Sequence, residues 1–431
     1  MPLQIHVVRQ GESLWGISQA YGTTVQEIVT TNEIPDPNQL VVGQALVIPI
    51  YGRFYWVRSG DSLWSIGQRF QVNYTTLAEV NRLDVNQPLP IGLRLYIPPT
   101  PKSRIETNAY IEPRGTSVSE ALLSDARRAG PYLTYLAPFS YEARRDGTLN
   151  PMPLEGIPEI ARETGASLMM VVTNLEEGQF SGELGRDILQ STAVQERLLD
   201  NIIAETRRVG NYTDVHFDFE FLPGDQREAY NNFLRRAAER LRAEGLLISS
   251  ALAPKTRRDQ PGQWYEAHDY RAHGEIVDFV VLMTYEWGYS GGPPMAVSPI
   301  GPVEEVLQYA LTEMPASKIM MGQNLYGYDW TLPYVPGGPY ARAVSPQQAI
   351  QIAKENNAEI QYDTVAQAPH FDYTDESGRA HKVWFEDARS IQAKFDLLKR
   401  LNLRGISYWK LGLPFPQNWL LIGENFEVVK R

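Results

Sequence analysis

From residue 107 to residue 409, the sequence alternates short apolar runs with longer amphipathic stretches. The short runs predict β-strands, and the stretches between them have the spacing of surface helices. Strands that alternate with helices form parallel sheets, and eight such units close into a (β/α)8 TIM barrel. We therefore predict an α/β fold with a barrel over residues 105–431. The predicted strands are 107–111, 132–138, 167–175, 214–221, 247–254, 277–285, 319–326 and 405–409.

One connection is too long for a single helix and its loops. Residues 329–387 follow the seventh predicted strand and contain a helical segment at 346–356. This combination predicts a small α+β insertion. We expect it beside the cleft, because the loops that follow the strands build the open end of a barrel. Its short alternating segments are 359–362, 370–373 and 382–385.

The N-terminal part of the chain contains a tandem repeat. Gly11-Glu12-Ser13-Leu14-Trp15 returns 49 positions later as Gly60-Asp61-Ser62-Leu63-Trp64, and the register holds through Ile48-Pro49 and Ile97-Pro98. In each copy a strand, two helices and a closing strand follow one another, and the serine of the motif is a natural helix N-cap. We predict two βααβ modules at 3–50 and 53–99, joined to the barrel by a proline-rich linker at 100–104.

Both repeats closely resemble the LysM module. That resemblance implies that they bind polymers of N-acetylglucosamine in a shallow groove between the first strand-helix loop and the loop after the second helix. Trp15 and Trp64 lie on the apolar face of the predicted helix, so we expect both to be core residues. The groove residues that the resemblance implies are Gly11, Glu12, Ser13, Leu14, Asn32 and Ile34 in the first module, and Gly60, Asp61, Ser62, Leu63, Asn81 and Leu83 in the second.

Composition narrows the function. The formal net charge is -11 and the sequence contains no cysteine. An acidic chain is a poor partner for nucleic acid, and the absence of cysteine excludes disulfides and thiol catalysis. The N-terminus lacks the pattern of a cleaved signal peptide, and we expect no membrane span. We expect a monomer that uses no cofactor and no metal.

The fourth predicted strand carries the clearest chemical signal. Asp214, His216, Asp218 and Glu220 alternate with apolar residues, so the four ionisable side chains share one face. In a barrel this face points inward, where unpaired charge is costly and is usually tolerated only at a functional site. Glu220 ends the strand at the catalytic mouth, and the nearby Asp218 should raise a carboxyl pKa, as a general acid requires. An edge strand with a solvated polar face and a metal site remain alternatives.

Asp218-x-Glu220, together with Met283-Thr284-Tyr285 and Tyr408-Trp409, resembles glycoside hydrolase family 18. Within that family, the chain is most similar to spore-cortex-lytic N-acetylglucosaminidases of endospore formers, which join two LysM modules to this barrel. The segments that carry the narrower resemblance are Ala253-Pro254-Lys255, Tyr285-Glu286-Trp287-Gly288-Tyr289 and Leu325-Tyr326-Gly327-Tyr328-Asp329-Trp330.

The resemblance implies a retaining mechanism that the substrate assists. Glu220 would protonate the glycosidic oxygen, and Asp218 would orient the substrate's own 2-acetamido group as the nucleophile. Tyr285 would hydrogen-bond that group, and Trp409 would form the floor under the reacting sugar. Asn174, at the end of the third strand, is a further expected sugar contact. Gln323, Asn324 and Tyr326, at the end of the seventh, are others, although structural roles are equally compatible with these three positions.

The sequence departs from the broad family pattern in three places. His216 stands where an acid is common, which puts the proton relay behind Asp218 in question, although we include His216 among the substrate-binding residues. Glu286 follows Tyr285 where aspartate is common, and no Ser-x-Gly-Gly occurs on the third strand.

The resemblance therefore implies a hydrolase of spore-cortex peptidoglycan that acts during germination. It would be made in the mother cell and deposited at the coat and cortex of the spore. A chitinase and a catalytically silent glycan-binding protein remain the alternatives, and a muramidase is less favoured.

Overall fold

The computed structural model describes residues 3–50, 53–98 and 102–431. Both N-terminal repeats have the predicted βααβ order, and their first helices are N-capped by the predicted serines: Ser13 accepts from the Gly16 amide and Ser62 from the Ser65 amide. We call residues 3–50 module 1 and residues 53–98 module 2. Their elements are β1 Leu3–Val7, α1 Leu14–Tyr21, α2 Val25–Asn32, β2 Ala45–Pro49, β3 Phe54–Trp56, α3 Leu63–Phe70, α4 Tyr74–Val80 and β4 Arg94–Tyr96.

The remaining strands form the predicted barrel. Eight parallel strands pair in the order β11-β12-β13-β14-β20-β5-β6-β8, and pairing of β8 with β11 closes the ring. All eight predicted strands are present. The strands are β5 Ser103–Ile111, β6 Tyr135–Pro138, β7 Tyr141–Glu142, β8 Ser167–Thr173, β9 Leu175–Glu176, β10 Gln179–Phe180, β11 Tyr212–Asp218, β12 Leu247–Leu252, β13 Phe279–Leu282, β14 Ile319–Asn324, β15 Gly327–Thr331, β16 Arg342–Val344, β17 Gln361–Asp363, β18 Ala368–Thr374, β19 Ala380–Trp384, β20 Gly405–Trp409 and β21 Phe426–Val428.

Helices cover the outside of the barrel, and the main hydrophobic core lies between them and the strands. Within the described ranges, none of the helices combines the length and the hydropathy that crossing a bilayer requires. The helices are α5 Glu120–Ala129, α6 Ile157–Thr164, α7 Gly182–Gln190, α8 Thr192–Val209, α9 Arg227–Ala243, α10 Tyr270–Ile276, α11 Ile300–Glu313, α12 Pro346–Glu355, α13 Ala388–Arg400 and α14 Pro416–Asn425, with short 3-10 turns at Gly130–Tyr132, Gly224–Gln226 and Ala316–Lys318.

The predicted α+β insertion is present after β14. Its antiparallel sheet has the order β16-β15-β19-β18-β17, and α12 packs against one face. The insertion has a small core of its own, which includes Val344, Phe371 and Val383. A residue of module 1, Val41, is buried in the same core. The insertion therefore has a core of its own and also contacts module 1.

Module 1 is docked on the barrel rather than suspended from a spacer. The Gln417 amide on α14 donates to Asn32 Oδ1 (2.6 Å) and to the Ala45 carbonyl oxygen (3.1 Å). The first barrel strand begins at Ser103, inside the segment that we predicted as linker. Residues 99–101, the end of the predicted second module and the start of the linker, lie outside the described residues. The docking fixes module 1 relative to the catalytic domain.

The expectation that Trp15 and Trp64 are core residues is wrong. Trp15 is 69% exposed and Trp64 is 61% exposed. Helix α1 buries Leu14, Ile17 and Tyr21 against the module, and Trp15 lies one residue, or about 100°, around the helix from Leu14. The short helix therefore has room for only one buried stripe, and the indole points away from it.

Candidate active site

Strand β11 brings the four predicted ionisable residues to the inside of the barrel. Asp214 and His216 are fully buried, and Asp218 and Glu220 are 6% and 7% exposed. β11 pairs with β8 on one side and β12 on the other, so the edge-strand alternative is wrong. The strand ends at Asp218 instead of residue 221, and Glu220 stands two residues beyond it at the mouth.

Phe221 does not lie on the face of the strand that the alternation predicts for it. The strand pattern places it on the apolar face with Phe217 and Phe219, which are both fully buried. Phe221 has a φ of 55° and is 38% exposed, because the chain leaves the sheet before reaching it. Its ring stacks on Trp264, with centroids 6.1 Å apart and an interplanar angle of 13°. The turn therefore aims one aromatic ring outward, beside the Glu220 carboxyl.

The Glu220 backbone is clamped by Asn174. The Asn174 amide donates to the Glu220 carbonyl oxygen and accepts from the Glu220 amide N–H, both at 2.9 Å. It also donates to the Ser181 carbonyl oxygen at 2.9 Å. Asn174 is fully buried. Its amide thus holds the catalytic turn in place and is not directed toward a sugar in the cleft.

The Glu220 carboxyl is held in a state suited to proton donation. Burial raises its pKa well above the usual range, and the charge of Asp218 raises it further. A hydrogen bond from Trp264 Nε1 to Glu220 Oε2 opposes this rise. Burial also raises the pKa of Asp218, and Asp218 Oδ1 has no hydrogen-bond partner among the described residues. A carboxyl that stays protonated near neutral pH can act as a general acid.

Behind Asp218, a buried chain of polar groups crosses the barrel. Ser249 donates to Asp214 Oδ2 at 2.5 Å, and His216 Nδ1 lies 2.8 Å from the same Ser249 hydroxyl. His216 Nε2 lies 3.0 Å from the Tyr110 hydroxyl. These contacts join Asp214, Ser249, His216 and Tyr110 in one continuous chain of hydrogen bonds.

His216 is neutral in this chain. Burial lowers its pKa to about 3, and burial raises the pKa of Asp214 to about 7. The His216 ring lies beneath the cleft and does not line it. Its environment suits it to positioning Tyr110 at the cleft floor. The sequence-based expectation of a substrate contact therefore finds no support in the geometry.

The two carboxyls open into an aromatic cleft of about 1020 Å³ at the C-terminal end of the barrel. Trp409, at the end of β20, packs edge-on against Phe139 and Tyr110, with ring centroids 4.8 and 5.4 Å apart. These contacts fix the half-buried indole as part of the cleft floor. Aromatic faces of this kind pack against the apolar face of a ring-shaped ligand. The cleft therefore suits a sugar placed over the acid pair.

Tyr285 also lines the cleft, near both carboxyls. A side chain on Gly322 would come within 2.9 Å of the Tyr285 ring, so this glycine makes room for it. Tyr326 lines the same cleft, but its hydroxyl donates to Glu286, which also accepts from Tyr328 at 3.0 Å. Burial raises the pKa of Glu286. These tyrosines hold Glu286 in the wall of the cleft.

Gln323 does not reach the cleft. It is fully buried, and its amide donates to the Asn324 carbonyl oxygen at 3.1 Å and to Asn324 Oδ1 at 3.0 Å. Of the three polar positions proposed at the end of the seventh strand, only Tyr326 lines the cleft. The structure therefore gives Gln323 a role inside the barrel.

Two residues at the site, Trp264 and Tyr110, were not predicted from the sequence. Trp264 bonds Glu220 from the loop after β12, and Tyr110 stands at the end of the first barrel strand. A weak signal existed for both. Loops after barrel strands build the mouth, so the Trp264-Tyr265 pair in the loop after the fifth strand was a candidate. Tyr110 was an aromatic residue with a polar tip at a strand end.

The predicted LysM groove residues divide into two kinds. Asn32 is buried, and its amide bonds the Ile28 carbonyl and both backbone groups of Val47, while Asn81 makes the equivalent bonds in module 2. These asparagines join the second helix to the closing strand. Leu63 and Ile34 are also buried, and Leu83 is half-buried. Gly11, Glu12, Ser13 and Leu14 line a groove beside Trp15, and Gly60, Asp61 and Ser62 form the corresponding loop of module 2.

The fold and the cleft define a barrel glycosidase with carbohydrate-binding modules. The family model described as glycosyl hydrolases family 18 matches residues 177–413, and that of the LysM domain matches residues 6–49 and 55–98. The chain belongs to glycosyl hydrolases family 18 and is a glycoside hydrolase. Its modules and barrel indicate binding of peptidoglycan or another N-acetylglucosamine polymer.

Similar proteins cover the whole chain. The cortical fragment-lytic enzyme of Bacillus subtilis (strain 168) is 67% identical over 429 residues, which is 100% of this chain and 99% of the relative. The crystal structure of the Bacillus cereus spore cortex-lytic enzyme SleL matches with a TM-score of 0.94 and 50% identity, covering 100% of this chain and 99% of that one. The corresponding enzyme of Bacillus megaterium QM B1551 matches with a TM-score of 0.90 and 53% identity, with the same coverage.

Proposed function

We propose that this enzyme hydrolyses N-acetylglucosaminyl bonds in the peptidoglycan of the spore cortex during germination. The observation that carries the proposal is the buried pair of Glu220 and Asp218 at the floor of an aromatic cleft. The names of its relatives, a cortical fragment-lytic enzyme and two spore cortex-lytic enzymes, supply the substrate. The cortex of the spore is accordingly the proposed place of action.

Glu220 is the proposed general acid. With its pKa raised by burial, it is protonated when substrate arrives and gives that proton to the glycosidic oxygen as the bond to the anomeric carbon breaks. The carboxylate that results is then the base that takes a proton from the incoming water. One group thus serves both steps, as microscopic reversibility allows in a retaining reaction.

Asp218 is proposed to act on the substrate's acetamido group. Asp218 and Glu220 come from the end of one strand, so they approach the sugar from the same direction. In ordinary retaining glycosidases the second carboxyl attacks the anomeric carbon directly. Here the acetamido carbonyl oxygen would attack, giving a cyclic oxazolinium ion, and Asp218 Oδ1, which has no hydrogen-bond partner among the described residues, would accept the acetamido N–H. Water then reopens the ring with retention.

Tyr285 and Trp409 are proposed to shape the reacting sugar. Trp409 supplies the apolar floor, and the Tyr285 hydroxyl would donate to the acetamido carbonyl as that oxygen attacks. A substrate without the acetamido group would lack the nucleophile, and this requirement makes an N-acetylated glycan the substrate class.

Replacing the acid tests the proposal. Glu220→Gln keeps the size of the side chain but removes the transferable proton, so turnover on spore-cortex fragments should fall by about 10²- to 10⁴-fold. Mass spectrometry of the products should show reducing ends at N-acetylglucosamine for the unmodified enzyme. Glu228→Gln is the matched control, because Glu228 is exposed on the outer helix α9.

The products separate the alternatives. New ends at muramic acid would mean a muramidase, and cleavage of chitin oligomers alone would mean a chitinase. Fragments that are retained but never cut would mean a silent binding protein. Full activity of Glu220→Gln would exclude the proposed mechanism.

A further inference from the structure

The loop before α1 in module 1, with Trp15 beside it at the start of the helix, faces the insertion of the barrel. Together with the residues around Leu40, it forms one side of a groove of about 1360 Å³, and residues 353–360 of the barrel's insertion form the other side. The groove is larger than the usual range of about 300–1,000 Å³ for small-molecule pockets. Its size suits an extended ligand better than a single small molecule.

The two walls are fixed against each other. The Ile360 amide N–H donates to the Val42 carbonyl oxygen at 2.9 Å, and Arg389 donates to the Gly43 carbonyl oxygen at 3.0 Å. Lys354 of the insertion lies 3.6 Å from Asp36 of module 1. Within the described ranges, module 2 has no such neighbour on this face, since Ile91, the counterpart of Val42, is 72% exposed. The groove is therefore a property of the assembled chain and not of a LysM module alone.

The lining carries aromatic, amide and charged groups that can contact an N-acetylated sugar strand. Trp15 offers a large exposed indole face on the module side, and Gln10 and Gln39 add amide groups. Asn357 and Glu359 stand exposed on the insertion side. An aromatic face beside amide and carboxylate groups can pack on a sugar ring and bond its hydroxyl and acetamido groups.

We infer that the insertion supplies the second wall of a composite glycan site, in which Asn357 and Glu359 contact a strand of N-acetylated sugars held from the other side by module 1. The inference takes the kind of polymer from the proposed function and therefore rests on it. Because both walls belong to one rigid assembly, a strand bound in the groove is held at a fixed distance and orientation from the catalytic cleft. The insertion is then part of substrate recognition.

The test measures depletion of the full chain from solution onto insoluble peptidoglycan. All proteins carry Glu220→Gln, so that the polymer is not degraded during the measurement. Asn357→Gly and Glu359→Ala are combined in this background. Asn357 has a φ of 51°, so glycine removes the amide without adding backbone strain. Glu376→Ala is the matched control, because Glu376 is an exposed glutamate of the insertion that does not line the groove.

The paired variant should bind with an apparent Kd about 5-fold weaker, the change expected for losing one or two exposed hydrogen bonds. The control should bind as its parent does, and a soluble pentamer of N-acetylglucosamine should compete for the groove. If the paired variant binds like its parent while Trp15→Ala weakens binding, module 1 binds with its own residues and the inference is overturned. If neither change alters binding, the groove does not take a glycan, which also overturns it.

Failure of this inference is distinguishable from failure of the proposed function. The proposed function depends on cortex hydrolysis, which Glu220→Gln should slow and which is measured with Asn357 and Glu359 unchanged. If the enzyme cleaves cortex fragments but its binding to peptidoglycan is unchanged by the Asn357 and Glu359 substitutions, the proposed function stands and only the composite site is excluded.

Discussion

The two LysM modules share a sequence register and a fold. Among the described residues, however, only module 1 contributes side chains to the hydrophobic core of the barrel. The difference lies on the outward face of the closing strand. In β2, Ala45 and Val47 are buried against the barrel core, while in module 2 the same positions are Arg94 and Tyr96, which are exposed. The inward residues of the two strands are equally buried. A repeat can therefore keep its own core and still acquire, or lose, a docking surface by changing alternate residues of one strand.

Module 2 is attached mainly through module 1. The Gln4 amide donates to the Trp56 carbonyl oxygen at 2.8 Å and accepts from the Trp56 amide N–H at 3.0 Å. Tyr21 packs edge-on against the Trp56 ring, with centroids 5.6 Å apart. The core of module 2 contains residues of that module only. Matched substitutions at equivalent positions can therefore separate what folding of a module needs from what docking needs.

The largest difference should come from a pair of equivalent glycines. Gly43 and Gly92 both have positive φ, at 85° and 80°. A Cβ on Gly43 would stand 1.8 Å from the Ile360 carbonyl oxygen, whereas a Cβ on Gly92 would meet nothing within 4 Å. Gly92→Ala should cost only the left-handed strain, about 1–2 kcal/mol. Gly43→Ala should add overpacking against backbone, for a total of about 2–5 kcal/mol.

Chemical denaturation of the two variants measures this difference. Hydrogen exchange should also show faster exchange at Ile360 and through β2 in Gly43→Ala only. Equal losses of unfolding free energy in the two variants would mean that the contact between module 1 and the insertion contributes nothing to stability.

A second pair of equivalent residues should differ less. Asn32 and Asn81 both bond a helix carbonyl and the backbone of the closing strand, but Asn32 is buried and also accepts from Gln417. Asn32→Ala leaves buried groups without partners and should cost about 2–4 kcal/mol, at about 1–3 kcal/mol for each orphaned group. Asn81 is half-buried, so water can replace its bonds, and Asn81→Ala should cost about 1 kcal/mol.

Thermal unfolding, read together with binding to insoluble peptidoglycan, checks the asparagine pair. The loss in Asn32→Ala should appear in unfolding and not as a separate loss of glycan affinity in the folded protein. If Asn32→Ala folds with normal stability but no longer binds glycan, Asn32 contacts the sugar, as the sequence suggested.

The sequence predicts the features whose pattern lies within a few neighbouring residues, and it misses those that depend on contacts between distant parts of the chain. The alternation along β11 identified Glu220 and Asp218, because strand geometry alone puts every second side chain on one face. The docking of module 1 was not predicted, because Ala45 and Val47 have buried partners more than fifty residues away in the chain. Trp15 was placed in the core by periodicity, although one short helix buries only one stripe.

Polar residues at strand ends were the hardest to interpret from sequence. Asn174 and Gln323 satisfy the same pattern as a sugar ligand, but the structure uses their amides to bond nearby backbone and side-chain groups. A sequence pattern does not show which groups of its own chain a buried amide bonds, and Gln323 Oε1 has no hydrogen-bond partner among the described residues. Trp264 illustrates the opposite case, since it reaches Glu220 from a loop whose path has no periodic pattern.

The smallest expected difference between the modules is their response to pH. In module 1, His6 Nε2 lies 2.8 Å from Glu12 Oε2, and its other ring nitrogen lies 3.1 Å from the Tyr21 hydroxyl. In module 2 the same loop is held by Tyr55, whose hydroxyl donates to Asp61 at 2.7 Å. Burial raises the pKa of Tyr55 to about 12, so the module 2 contact does not titrate near neutral pH.

His6 should therefore make module 1 sensitive to acid. Burial lowers its pKa below 6.5, an effect to which the charges of Arg58 and Arg9 add and which the Glu12 carboxylate partly offsets. The folded chain then binds fewer protons than the unfolded chain just below pH 6.5, so this contribution to stability is present above that pH and is lost as the pH falls. The variant His6→Tyr carries the module 2 residue at this position. Between about pH 7 and about pH 5, its free energy of unfolding should fall less than that of the unmodified protein, by a difference of less than about 1 kcal/mol. Unfolding free energies of the two proteins across that range measure the difference. Identical pH profiles would show that the two loops behave alike despite their different residues.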